Sequence, residues 1–136
     1  GEKMSKSLGN LVFVSDLSLT WDPRAIRLAC LSHHYRSSWE WHDSLMSQAT
    51  TRLLAWVAAG SASAANSPSA HPAPPALDQV RTALDQVRTA LDADLDTPAA
   101  LLAIDVAAAA GEDVQQAAQL LGVDLTRPVL LTGDPV

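Results

Sequence analysis

Apolar side chains recur along this chain of 136 residues in two different rhythms. Leu11-Val12-Phe13-Val14 is a short run of β-branched and aromatic residues, which predicts a strand. From Asp22 onward the spacing is helical. Asp22 can cap free backbone N–H groups, and Pro23 suits the first helical position, where its missing N–H costs nothing. Ala25, Ile26, Leu28, Ala29 and Leu31 then predict a largely buried helix to about Tyr35. Leu45, Met46, Ala49, Leu53 and Trp56-Val57 form the stripe of a second helix, from near Asp43 to Ala59, with Gly60 as its stop.

Residues 60–75, GSASAANSPSAHPAPP, are small residues and prolines that bury too little surface to offset ordering, so a flexible linker or long loop is expected there. An internal repeat follows: ALDQVRT at 76–82 is copied at 83–89. Leu77, Val80, Leu84, Val87 and Leu91 fall on one helical face, and seven residues add almost two whole turns, so the copy lengthens a helix while nearly keeping its buried side. Two heptads are too few to argue a coiled coil, which favours a helix packed within its own bundle. Thr97-Pro98 opens another helix, running through alanines to Gly111, and Glu112 to Leu121 forms the last, closed by Gly122. The tail TRPVLLTGDPV reads as irregular. The expected fold is mainly α, a helical bundle with a strand-bearing entry.

Charge divides the chain. Residues 1–75 carry six Lys/Arg against five Asp/Glu, whereas residues 76–136 carry three against ten. Nucleic-acid binding draws on basic surface that displaces counterions from phosphates, and the C-terminal half has the opposite sign. No apolar run approaches the roughly 18 residues of a membrane span, so no membrane association is expected. Cys30 is the single cysteine; an internal disulfide is impossible, and a small buried thiol within Ile26–Leu31 is the expectation, with the cytoplasm as the compartment. A chain that starts at Gly1 inside a motif-like stretch is expected to be a piece of something longer.

The chemistry concentrates in the opening GEKMSKSLGN, a small-residue loop with two lysines. Lys3-Met4-Ser5-Lys6-Ser7 matches, residue for residue, the KMSKS signature of the class I aminoacyl-tRNA synthetases and their relatives, and Gly9-Asn10 extends the match. That resemblance implies a loop closing over ATP, with Lys6 as the main phosphate contact, Lys3 assisting, and Met4, Ser5 and Ser7 completing the ATP-binding segment. Attack of a carboxylate on the α-phosphorus builds charge on the phosphate oxygens, so cations fixed there stabilise the transition state more than the ground state. Ser5, Ser7 and Gly9 are small enough to let the loop move and its N–H groups approach phosphate.

The segment DPRAIRLACLSHHYRSSWEW resembles the helix after KMSKS in cysteinyl-tRNA synthetase, and is closer to the paralogous ligase family that joins cysteine to glucosaminyl-inositol in mycothiol biosynthesis. His34-Tyr35-Arg36-Ser37 followed by Trp39-Glu40-Trp41 carries that likeness, and DADLDTPAALLAID is similar to a downstream helix of both families. The resemblance implies L-cysteine, ATP and glucosaminyl-inositol as substrates, a monomer that needs no tRNA, and a Rossmann-type catalytic domain with an appended bundle. It also implies a zinc ion selecting cysteine through its thiolate. The family's HxGH motif and zinc ligands do not occur here, so the metal ligands are expected outside this chain and none within it. His33 and His34, adjacent on a helix and about 100° apart, are expected to pack or face solvent, and the Trp39/Trp41 pair to pack in the core.

The resulting expectation is the C-terminal part of such a ligase. Residues 1–20 close the catalytic domain with the KMSKS loop, residues 21–59 and 76–125 form the bundle on either side of the 60–75 linker, and residues 126–136 form the tail. A C-terminal part of a cysteinyl-tRNA synthetase, or a helical interaction module that keeps the motif as a relic, remain the alternatives.

Overall fold

The computed structural model describes residues 2–65 and 74–131, with side-chain surroundings described for 2–62 and 82–131. Helices α1 (Val14–Leu17), α2 (Pro23–Leu31), α3 (Ser44–Ala65), α4 (Pro74–Asp92), α5 (Thr97–Ala109) and α6 (Gln115–Leu120) follow one another. Helix α5 packs against α2, α3 and α4, α2 also packs on α3, and α6 lies against α4. A mainly α bundle is therefore observed.

The expected strand at Leu11–Val14 does not form. Phe13 is extended, but it leads into the single turn of α1. Backbone N–H and C=O groups of a strand need a neighbouring strand, and the described residues contain none. Helix α2 starts as its sequence dictates: Asp22 Oδ1 accepts from the Arg24 N–H at 2.9 Å, with Pro23 in the first turn. It stops at Leu31, four residues short of the expected end, where Ser32 Oγ donates to the Ala29 carbonyl at 2.6 Å. Helix α3 continues through Gly60 to Ala65. A mid-helix glycine costs only about 1 kcal/mol relative to alanine, and the alanines around it carry the helix on. Helix α5 is capped by Asp96, whose Oδ1 accepts from the Ala99 N–H at 3.0 Å, rather than by the neighbouring Thr97. Residues 66–73 of the expected linker lie outside the described residues.

One apolar cluster unites the helices, with Leu28 from α2, Met46, Leu53 and Trp56 from α3, Val87 from α4 and Leu101 and Ile104 from α5 all fully buried. In the second copy of the heptad Val87 is buried as expected, together with Ala83 and, just beyond the copy, Ala90, whereas Leu84 and Leu91 of the expected face are only half-buried; the side chains of residues 76–81 lie outside the described residues. Cys30 does not join the cluster: it is exposed on α2, because Ala25, Leu28 and Ala29 define the buried stripe and position 30 falls off it. Two apolar surfaces are left open, one over Phe13, Val14 and Leu19 and one over Leu102 and Val106 on the outer side of α5.

Two polar braces cross the bundle. Trp56 Nε1 donates to Asp105 Oδ1 at 2.8 Å while Arg52 Nε reaches both carboxylate oxygens at 3.1 Å, tying α3 to α5. The second brace holds the tail. Arg24 donates to the carbonyls of Asp124 (2.7 Å), Arg127 (3.0 Å) and Pro128 (2.8 Å), and its Nε and Nη2 meet the two carboxylate oxygens of Asp22 at 2.9 and 2.7 Å. Asp22 Oδ2 also accepts the Leu130 N–H at 3.0 Å.

Burial of Asp22 pushes its carboxyl upward, but the bonds from Arg24 and from the Leu130 and Arg24 N–H groups outweigh this and hold it below the ordinary carboxylate value. The folded value thus lies under the unfolded value of about 3.9. The stabilisation is complete above the unfolded value and is lost as pH falls through the folded one. Urea midpoints taken from about pH 6 down to pH 3 should therefore decline, and Asp22→Asn should lower the midpoint at pH 6 while flattening the decline.

Candidate functional site

The lysine loop closes on itself through side chains that flank the lysines. Asn10 spans its neck: its Oδ1 accepts the Ser5 N–H at 2.8 Å and its Nδ2 lies 3.5 Å from the Lys3 carbonyl oxygen. Inside, Ser5 Oγ accepts the Leu8 N–H at 3.3 Å and sits 3.2 Å from Ser7 Oγ. The Gly9 N–H donates to the Lys6 carbonyl at 3.3 Å with Gly9 at φ +65°, a left-handed turn that suits glycine.

This arrangement uses the serines and Asn10 for structure and leaves the cations outside it. Lys3, Met4, Lys6 and Ser7 are exposed and Ser5 is half-buried. Neither lysine forms an ion pair among the described residues, and the N–H groups of Lys6 and Ser7 find no acceptor there. Two cations and two open amides on one small loop are suited to an anion with several oxygens, the ligand that backbone nests and lysines jointly favour. The five residues expected to bind ATP thus lie together in one loop, although the motif's contiguity alone would place them near one another.

The His-Tyr-Arg stretch and the DADLD stretch, 58 to 60 positions apart, meet in space. Tyr35 Oη donates to Asp94 Oδ1 at 2.6 Å and accepts from Arg36 Nε at 2.7 Å. Arg36 also approaches Asp94 Oδ2 at 3.1 Å. The hydrogen bond to Asp94 raises the Tyr35 hydroxyl above its ordinary value. His34 Nδ1 accepts the Arg36 N–H at 3.2 Å, so the ring's proton belongs on Nε2, which donates to the Asp94 carbonyl at 3.0 Å. Asp94 and Leu95 are left-handed at φ 57° and 54°, an uncommon conformation for residues with a side chain, and this contact set fixes the turn between α4 and α5.

His33 stacks on Trp39 at 4.0 Å between ring centroids, and Trp39 is exposed, so only Trp41 of the tryptophan pair packs against the core as expected. The donors a zinc ion needs do not converge: His33 is turned to Ala29 and Trp39, His34 to Asp94, and no group of three candidate ligands occurs among the described residues. The described residues offer no site that fits a zinc ion.

Arg24, Asn10, Asp94 and Asp105 were not legible as structural partners from the sequence. Asp105 carried the clearest signal, as the only charge in the otherwise apolar TPAALLAIDVAAA of α5.

Comparison with known proteins bears directly on this loop. The model of the class I (C) tRNA synthetase catalytic domain matches residues 1–51, from the lysine loop through α2 into α3. An L-cysteine:1D-myo-inositol 2-amino-2-deoxy-alpha-D-glucopyranoside ligase of Clavibacter michiganensis is 47% identical over 134 residues, covering 94% of this chain and 30% of the relative. The chain is thus similar to these cysteine ligases and, over residues 1–51, to the class I tRNA synthetases. Ligases of the same name from Streptomyces avermitilis and Thermobifida fusca are 51% and 50% identical over 106 residues, 77% of this chain and 23% of each relative. The family resemblance read from KMSKS and His-Tyr-Arg-Ser is thereby borne out. The chain spans less than a third of the length of the curated relatives it matches. Among the described residues no helix is long and apolar enough to cross a membrane.

Proposed function

We propose that this chain is the C-terminal part of an ATP-dependent ligase that activates L-cysteine and transfers it to the amine of glucosaminyl-inositol. The observation that carries this reading is the exposed, self-closed lysine loop in a chain 47% identical to a ligase of that name. In this mechanism the cysteine carboxylate attacks the α-phosphorus of ATP, pyrophosphate leaves, and cysteinyl-adenylate forms. The acceptor amine then attacks the activated carbonyl, AMP leaves with the bonding pair of the C–O bond, and an amide results.

Lys6 is the principal charge on the phosphates and Lys3 its support. The amides of Lys6 and Ser7 add donors that need not reorganise during the step. Residues 1–20 belong to the end of a catalytic domain in this reading, and 21–59 and 76–125 to its bundle. The open apolar surfaces over Phe13–Leu19 and on α5 support a larger parent, since patches of this kind are normally covered. The cysteine pocket and the remainder of the ATP site are supplied by the parent, which acts in the cytoplasm as a monomer.

The 136-residue chain alone is therefore expected to show no cysteine-dependent exchange of pyrophosphate into ATP, while the full-length parent does. Offering the parent glucosaminyl-inositol and tRNA in parallel identifies the acceptor. The acidic C-terminal half favours the aminosugar, and cysteine appearing on tRNA instead would replace this reading with a synthetase. Exchange by the isolated chain would overturn the partial-site view.

A further inference from the structure

We propose that the tail after α6 is a strap that sets the base of the lysine loop, with Arg24 and Asp22 as its positioning residues. The inference rests on the loop acting on ATP as described above, but its structural half is independent of that.

Residues 124–130 form no helix, yet they are held more closely than an irregular tail requires. A single buried guanidinium, Arg24, bonds the carbonyls of Asp124, Arg127 and Pro128. All three are backbone acceptors, so the seat reads the path of the tail and not its side chains. The planar fork of arginine suits this task, because it can serve several acceptors on one side while meeting a carboxylate on another.

The Asp22 carboxylate has three duties at once. It caps α2 through the Arg24 N–H, pairs with the Arg24 side chain, and accepts the Leu130 N–H of the tail. Asp22 also directly follows Trp21, the last residue of the segment that begins with the lysine loop. That segment is anchored lightly: Trp21 and Leu17 are its partly buried members packed on the core, and the Trp21 N–H donates to the Leu17 carbonyl at 2.8 Å. Phe13, Val14 and Leu19 are exposed. Val129 of the tail is likewise partly buried against the core.

Removing the tail takes away the carbonyls that hold the Arg24 guanidinium in place, which frees Arg24 to move and with it the carboxylate that caps α2. The lysine loop, whose route into the bundle ends at Trp21-Asp22, loses its fixed base in the same event. The strap thus couples residues about a hundred positions apart (Arg24 to Asp124, Arg127 and Pro128) to the entry of the catalytic loop.

The test uses hydrogen exchange on the 136-residue chain and kinetics on its full-length parent. Two variants are compared: Arg24→Lys, which keeps the charge but not the fork, and a chain ended after Thr126, which removes the Arg127 and Pro128 carbonyls and the Leu130 N–H. In both, amides of residues 13–21 should exchange at least about tenfold faster while those of α3 and α5 hold. In the parent the KM for ATP should rise about fivefold or more with the KM for cysteine within about twofold. Unchanged exchange at 13–21, or acceleration spread equally over all helices, overturns the strap, as does a KM for cysteine rising in step with that for ATP. If Lys6→Ala leaves adenylation intact, the loop reading fails instead, and the exchange result still decides the strap.

Discussion

Replacing Lys6 by alanine in the full-length parent should slow cysteinyl-adenylate formation by about two to three orders of magnitude, the usual cost of losing one fixed donor to a developing oxyanion. The lysine is exposed, and the loop that carries it is closed by Ser5 and Asn10 rather than by the lysine itself. Alanine therefore removes the charge without dismantling the loop. In the proposed role the lysine meets charge that grows on the phosphoryl oxygens, so kcat should fall more than the affinity for ATP, and cysteine binding should be untouched. Pyrophosphate exchange measures the loss directly. Lys3→Ala should have a smaller effect in the same direction, and near-normal exchange by Lys6→Ala would remove the role assigned to it.

The largest structural loss is expected at Trp56. Its side chain is fully buried between α3 and α5, and Trp56→Ala should destabilise the fold by about 3–5 kcal/mol through lost burial and the cavity left behind. Domains of this size are stable by only about 5–15 kcal/mol, so much of the population would be unfolded at moderate urea. Trp56→Phe keeps most of the apolar volume and removes the N–H that meets Asp105, and should cost about 1 kcal/mol for that bond. Equilibrium urea denaturation of the two variants separates burial from hydrogen bonding. Equal, small losses would mean that the α3–α5 contact is not where the fold is held.

Local rules carried the sequence reading far where a rule was local. The Asp22-Pro23 start and the apolar stripes of α2 and α3 follow from caps and from the helical period, which need no knowledge of partners, whereas on α4 the period gave only Val87 correctly, with Ala83 and Ala90 buried beside it in place of Leu84 and Leu91. Leu11–Val14 failed because a strand is defined by its neighbour, and composition cannot supply one. The Gly60 stop failed because alanine-rich flanks outweigh one weak helix former. Cys30 was placed by the company of apolar residues, whereas its angular position on α2 decides exposure.

The lysine loop was legible through KMSKS, since the motif is contiguous and its residues keep together in any fold. The role of Asn10 as the loop's closing residue depends on the local turn geometry, while the meeting of Tyr35 and Arg36 with Asp94 and the grip of Arg24 on the tail depend on tertiary contacts between segments the sequence keeps apart. Arg24 in particular looks like an ordinary surface arginine in the first turn of an amphipathic helix. Only its three carbonyl partners show otherwise.

The doubled ALDQVRT of α4 sets a rule for how the gene can change length here. Seven residues advance a helix by about 700°, some 20° short of two turns, so adding or losing one copy leaves the Ala83, Val87 and Ala90 side pointing inward. A gain of five residues would swing that face by about 140° and turn the core side outward. A gain or loss of whole heptads is therefore expected to disturb the packing of this helix less than any intermediate length.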